Sequence, residues 1–186
     1  MDRLSSLTEE ELTPEQRAVL DAVAGGPRGN MGLMGPFGVY VRAPGVGNAA
    51  QALGAAVRFS TELPENLKEI GICVVGAKTK AKFEFAAHAV LAQKAGVSAD
   101  IVEAIRQGES PKFTDANESL AHEIATALVR QHRLDDALYA RAKQALGETQ
   151  LVELVATVGY YTLVSYVLNT FEIPLGEGMI DPFPEV

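Results

Sequence analysis

Leu63-Pro64-Glu65-Asn66-Leu67-Lys68-Glu69-Ile70-Gly71-Ile72-Cys73-Val74-Val75-Gly76-Ala77-Lys78 decides whether this chain is all-helical or mixed. Its centre, Ile72-Cys73-Val74-Val75 between two glycines, has the β-branched content of a buried strand. Pro64 before a charged first turn is instead a helix start, and a lone strand in an otherwise helical chain would have no partner for its edges. The helix reading prevails, and the fold class is all-α. Almost nothing between Glu69 and Lys78 is polar, so the helix is expected to be buried nearly all round, with Glu69 turned inward. Cys73 and Gly76 share the face of Glu69 and are small enough to leave space beside its carboxylate.

The next stretch, Ala81 to Gly96, is one helix rich in Ala, Leu, Gln and Lys, with Gly96 placed as its left-handed C-terminal cap. At about 100° per residue, Glu84, His88, Leu91 and Ala95 share a face opposite Lys82 and Gln93, which makes the face with the acid and the imidazole the buried one. A glutamate turned inward is costly unless paired, hydrogen-bonded or protonated, so this pair needs a reason.

Toward the N-terminus, Thr13-Pro14-Glu15-Gln16 signals a capped helix running from 13 to 25. A Gly/Pro-rich loop follows over 25–45, either an ordered loop or a lid. No strand precedes its glycines and no Lys-Ser/Thr follows, so it is not read as a phosphate loop. Gly71 and Gly76 with Lys78-Thr79 miss the Walker pattern by a displaced lysine. A helix from about Asn48 to Thr61 comes next, reached through Pro44, which forces Ala43 out of helical geometry. Arg42 and Arg58 are candidates to grip a substrate carboxylate with a bidentate fork. Toward the C-terminus, Ser98–Gln107, Asp115–Gln131, Asp135–Leu146 and Glu148–Phe171 read as helices punctuated by Gly108 and Gly147, and an extended Pro-containing tail spans 172–186.

The 186 residues fit one domain, 1–186, around a single core. A net charge of −8 argues against nucleic-acid and anionic-membrane partners. The lone cysteine, Cys73, excludes a disulfide framework, and with no signal-like N-terminus the expected location is cytoplasmic. Leu151 to Phe171 is long and apolar but carries Glu153, Thr157, Tyr160, Tyr161, Ser165 and Asn169, which suits a core helix or a subunit interface better than a membrane span.

Spacing alone makes Glu84-x-x-x-His88 an ordinary i,i+4 pair. Glu118 and His122 have the same spacing but lie off the Leu120, Ile124, Leu128 stripe, as a solvated pair would. The inward direction of Glu84 and His88, with Glu69 as a second buried acid, singles out the central pair. Two carboxylates beside one imidazole split their pKa values and form an acid/base site. The same three groups could bind a metal between helices, but no second histidine at ligand spacing supports it. His132 is expected to be exposed, and Cys73 to be an inert core thiol.

The run Glu69-x14-Glu84-x3-His88, continued by Ala89-Val90-Leu91-Ala92-Gln93-Lys94-Ala95-Gly96-Val97-Ser98, resembles the carboxymuconolactone decarboxylase family. That family shares the all-helical AhpD-like fold with alkyl hydroperoxidase accessory proteins. The resemblance is strongest over 63–108. The peroxidase branch carries Cys-x-x-Cys ahead of the histidine, where this chain has Ala81 and Glu84, so thiol peroxidase chemistry is disfavoured. The upstream glutamate matches Glu69, the histidine matches His88, and Glu84 looks like the decarboxylase branch. What the resemblance implies is cofactor-free, metal-free decarboxylation of a small unsaturated lactone acid by a homotrimer or homohexamer. In that reading His88 is the proton donor, Glu84 its orienting partner or relay, Glu69 the second acid, and Arg42 a holder of the substrate carboxylate. A non-catalytic or ligand-binding helical oligomer with a structural Glu/His pair is the alternative. The extra N-terminal helix and the tail leave another small enolisable acid open as substrate.

Overall fold

Thr13 caps the first helix, α1 (Pro14–Ala24), with a reciprocal box: its hydroxyl accepts the Gln16 N–H, and the Gln16 side chain accepts the Thr13 N–H at 3.0 Å. The structure, a computed structural model, describes residues 3–185; Met1, Asp2 and Val186, the ends of the expected 1–186 domain, lie outside them. The expected 25–45 loop is irregular only as far as Pro36, because Phe37–Tyr40 forms a helical turn, α2. The third helix, α3 (Pro44–Phe59), begins four residues earlier than Asn48. Pro44 suits the first helical position, and Ala43 ahead of it is non-helical at φ −135° and ψ 73°.

The stretch that decides the fold class is helical, as α4 (Glu65–Thr79), with every residue from Leu67 to Gly76 buried. A left-handed Lys80 turns the chain directly into α5 (Lys82–Lys94), and the Ala81 N–H closes back on the Gly76 carbonyl at 3.0 Å. Gly76 does not leave space beside Glu69. A Cβ there would lie 3.2 to 3.3 Å from Phe85 Cβ, Cα and N, so the missing side chain lets α5 approach α4.

Three helices complete the bundle: α6 (Ala99–Gln107), α7 (Ala116–Gln131) and α8 (Asp136–Thr170), capped by Ser98, Asp115 and Asp135. The two helices expected at the C-terminus run on as α8 but break at Gly147, whose φ of 73° and ψ of 179° are open to glycine. By length and composition α8 could cross a membrane, yet half of its most apolar window is buried in the bundle. No strand occurs among the described residues.

Packing is centred on α4, which touches α5, α6, α7 and α8. Instead of one core there are two apolar clusters: a large one centred on α4–α8 that also takes in Val57 of α3 and Phe183 of the tail, and a smaller one of Val19, Leu20, Val23, Phe37, Tyr40, Val41 and Ala50 that joins α1, α2 and α3. The N-terminal layer meets the bundle where α3 packs on α8, and that seam holds the site. The tail is packed rather than loose. Phe183 is fully buried with its ring 5.2 Å from that of Phe85, the Pro182 carbonyl accepts from Arg106 at 2.8 Å, and Asp181 pairs with Lys82 at 2.8 Å.

Candidate active site

The α4–α5 turn sets Glu69 and His88 face to face inside the bundle. The His88 Nδ1–H donates to Glu69 Oε2 at 2.6 Å, and Nε2 lies 3.3 Å from Glu84 Oε2, one turn back on α5. All three side chains are buried, Glu69 completely. The buried stripe of α5 runs through Ala81, Phe85, His88 and Ala92 beside Glu84, while Leu91 and Ala95, expected on that face, are only half-buried. Tyr161 of α8 presents its ring edge-on to the imidazole at 4.8 Å. Burial opposes charging His88, but the hydrogen bonds and charges of Glu69 and Glu84 outweigh it and lift the pKa to about 9. The imidazole is therefore protonated at neutral pH. Glu69 Oε1 is buried with no hydrogen-bond partner.

A cavity of about 270 Å³ opens on the Glu84 side of this triad, between the 25–36 loop with α3 and the bundle helices α5 and α8. Glu84, His88, Tyr160 and Tyr161 form its polar floor, Arg28 and Arg58 supply two cations, and Met31, Met34 and Met179 contribute soft apolar wall. Glu69 lies behind the imidazole, outside this lining. The site is therefore layered, with an inner acid that fixes the ring and an outer acid that faces the cavity.

The structure brings together Glu69, Glu84 and His88, and Arg58 lines the same cavity. Arg42 does not line it. Its guanidinium donates to the Gly38 and Ser5 carbonyls and ties α2 to the N-terminal segment. Cys73 is fully buried, and burial followed by the Glu69 charge pushes its thiol pKa far up. The Glu118–His122 pair corrects the sequence reading: Glu118 is buried and accepts from Asn66 Nδ2 at 3.0 Å, while His122 is half-buried against Phe113, its pKa lowered by burial and by Arg130. Sequence reasoning missed Arg28, Tyr160 and Tyr161. The signal available was a single charged residue within the glycine-rich 25–36 segment, and two adjacent tyrosines in a long, mostly apolar helix.

Among the described residues no group of three or more His, Cys, Asp or Glu side chains is arranged to hold a metal ion. Each nitrogen of His88 already faces a carboxylate.

No family model matches the sequence, and no curated protein matches it. Solved structures do match the fold. The debrominase Bmp8 superposes with a TM-score of 0.70 at 14% identity, covering 92% of this chain and 90% of its own, both as the apo protein and as a cysteine-to-alanine variant in complex with 2,3,4-tribromopyrrole. An uncharacterized peroxidase-related protein from Silicibacter sp. TM1040 superposes with a TM-score of 0.74 at 10% identity, covering 96% and 93%. The helix order, the α4–α5 turn and these full-length superpositions identify the chain as an all-helical protein of AhpD-like fold.

Proposed function

We propose that this protein is a cofactor-independent acid/base enzyme that decarboxylates a small unsaturated lactone carboxylic acid of the 4-carboxymuconolactone type. The observation that carries the reading is a protonated histidine held between two carboxylates at the wall of a small cavity that also contains two guanidinium groups. The known debrominase of this fold was crystallised with a five-membered unsaturated ring, a ligand of the size such a cavity suits. Its activity is not carried over, because the likeness at 14% identity is one of fold; in this chain Cys73 is buried and does not line the cavity.

In the proposed reaction the bond between the ring carbon and the departing carboxylate breaks, and CO2 leaves. The electron pair runs through the double bond to the lactone carbonyl, and a proton then adds to carbon. His88 supplies that proton from Nε2, whose 3.3 Å contact to Glu84 is long enough to be exchanged for one to substrate. Glu69 fixes the ring from behind through Nδ1, and Glu84 relays a proton back to the imidazole. The imidazolium, with Arg58 as the nearby cation, stabilises the developing oxyanion. Arg58, rather than Arg42, is placed to meet substrate charge.

Oligomerisation belongs to the same proposal. The outer face of α8 exposes Val152, Val155, Leu163 and Tyr166, a stripe at helical spacing of the kind a homotrimer or homohexamer would cover. A non-catalytic ligand-binding protein is the competing reading; the cavity against His88 and the raised histidine pKa favour the enzyme.

The test is the ultraviolet loss of 4-carboxymuconolactone with wild-type protein, His88→Gln and Glu84→Gln. Wild-type turnover is expected, with His88→Gln slower by about 10²- to 10⁴-fold. Full turnover by His88→Gln would refute the assignment of the proton donor, and none in the wild type would exclude this substrate.

A further inference from the structure

Arg28 is the only charged residue in the 25–36 segment, yet it lies half-buried in the seam. Its guanidinium carbon sits 5.8 Å from the centre of the Phe37 ring and 5.7 Å from that of Phe59, and Nη1 donates to the Gln51 carbonyl at 3.3 Å. Gly54 on α3 makes this placement available. A Cβ there would lie 2.7 Å from Arg28 Nη2 and would collide with the Tyr160 hydroxyl. The guanidinium is thus held by two aromatic rings, a carbonyl and a notch in α3, at the wall of the cavity.

What it lacks is a counter-ion. Among the described residues neither Arg28 nor Arg58 forms an ion pair, and Arg58 Nε is buried without an acceptor. The cavity therefore gathers three cations, Arg28, Arg58 and protonated His88, against one lining carboxylate, Glu84, which engages His88 as Glu69 does from behind the ring. In a chain of net charge −8, concentrating unpaired positive charge in one half-buried place favours an anionic occupant. A guanidinium has five N–H donors in a planar fork, and only one of these has a protein acceptor.

We infer that Arg28 is the anchor for the ligand's carboxylate: it grips one end of a small organic anion with its unused N–H groups, Arg58 is the second cation, and the other end of the ligand is left against Glu84 and His88. The inference takes its reaction from the function proposed above, but its binding step stands apart from that reaction. It also makes the 25–36 segment part of the specificity of the site, because that segment carries the anchor and two of the methionines of the wall.

The experiment is calorimetric titration of 2-furoate, a small unsaturated ring carboxylate, into wild type, Arg28→Met and Arg28→Lys, with turnover of 4-carboxymuconolactone measured on the same preparations. Loss of a charge-assisted fork predicts affinity for Arg28→Met weaker by about 10- to 100-fold, with Arg28→Lys intermediate because it keeps the charge without the planar fork. An Arg28→Met affinity within about twofold of wild type overturns the anchor, even where turnover still depends on His88. The anchor is equally overturned if Arg28→Met lowers thermal stability alone, the signature of a residue that only pins the loop to Gln51. Should Arg28→Met not fold, Arg28→Lys decides: weakening of about threefold or more supports the fork, and unchanged affinity overturns it. Wild type that binds no 2-furoate overturns the anchor as well. Arginine-dependent binding without any turnover upholds the anchor and removes the lactone reaction.

Discussion

Replacing His88 by Gln should change how the stability of this protein depends on pH, and the size of the change follows from the triad. The imidazole titrates near 6.5 when unfolded and near 9 when held between Glu69 and Glu84, so the folded state binds more protons than the unfolded state between those values. Stability from this group is fully present below pH 6.5 and is lost as pH rises toward 9. At about 1.36 kcal/mol per pH unit the loss is about 3 kcal/mol. That is of the order, roughly 3–5 kcal/mol, found when a buried ion pair loses one charge. For a chain of this size the melting temperature of the wild type should therefore fall by roughly 6–12 °C over that window. His88→Gln is less stable at pH 6.5 because two buried carboxylates lose their cation, and its curve should converge on the wild-type curve as pH rises. The assay is urea unfolding at fixed protein concentration from pH 6 to 9.5, with the His88 ring nitrogens followed by NMR. Wild-type and variant curves that stay parallel across the window would refute the coupling. A second variant locates its source: Glu69→Gln removes the 2.6 Å partner and should lower the His88 midpoint.

Gly54→Ala places a methyl group against the Tyr160 hydroxyl and Arg28, and should destabilise by about 1–3 kcal/mol, less up to ~1 kcal/mol of gained helix propensity; an unchanged melting temperature would contradict the close approach. Phe183→Ala should cost roughly 3–5 kcal/mol and expose the tail to limited proteolysis around 173–185, because Phe183 is the buried plug that holds that segment on Phe85. Native protein should leave Cys73 unmodified by a thiol reagent at pH 8, with one thiol titrated in denaturant; fast labelling of folded protein would show that the α4 interior opens.

The inner half of the site is legible in the sequence because it is local. Glu84 and His88 lie one turn apart on α5 and face inward as the positions of Lys82 and Gln93 suggest, although the rest of the buried stripe differs from the pattern, and Glu69 belongs to a helix with no polar face at all. The outer half is not legible, because it depends on how two layers meet. Arg42 and Arg58 look alike in the sequence, each near a helix end, and the tertiary path of the 25–36 segment separates them. That segment folds over α3, which puts Arg58 on the cavity and leaves Arg42 facing the Ser5 carbonyl on the far side of α2. Arg28 is hidden more deeply, since no periodicity governs an irregular loop, and its position is set by Gly54, a residue 26 places later whose role is only to be absent. Gly76 differs from its expected role for the same reason: a small residue marks a close approach, but the sequence does not say what approaches, and here it is the backbone of α5 rather than the carboxylate of Glu69. The division has a functional consequence. On the proposed function, the residues that hold and move the proton, Glu69, Glu84 and His88, lie on α4 and α5, whereas Arg28 and Arg58, proposed to meet the ligand's charge, and the methionine wall lie on the 25–36 segment, α3 and the tail. Substitutions in the first group should change rate and pH dependence, and substitutions in the second should change which acid is bound.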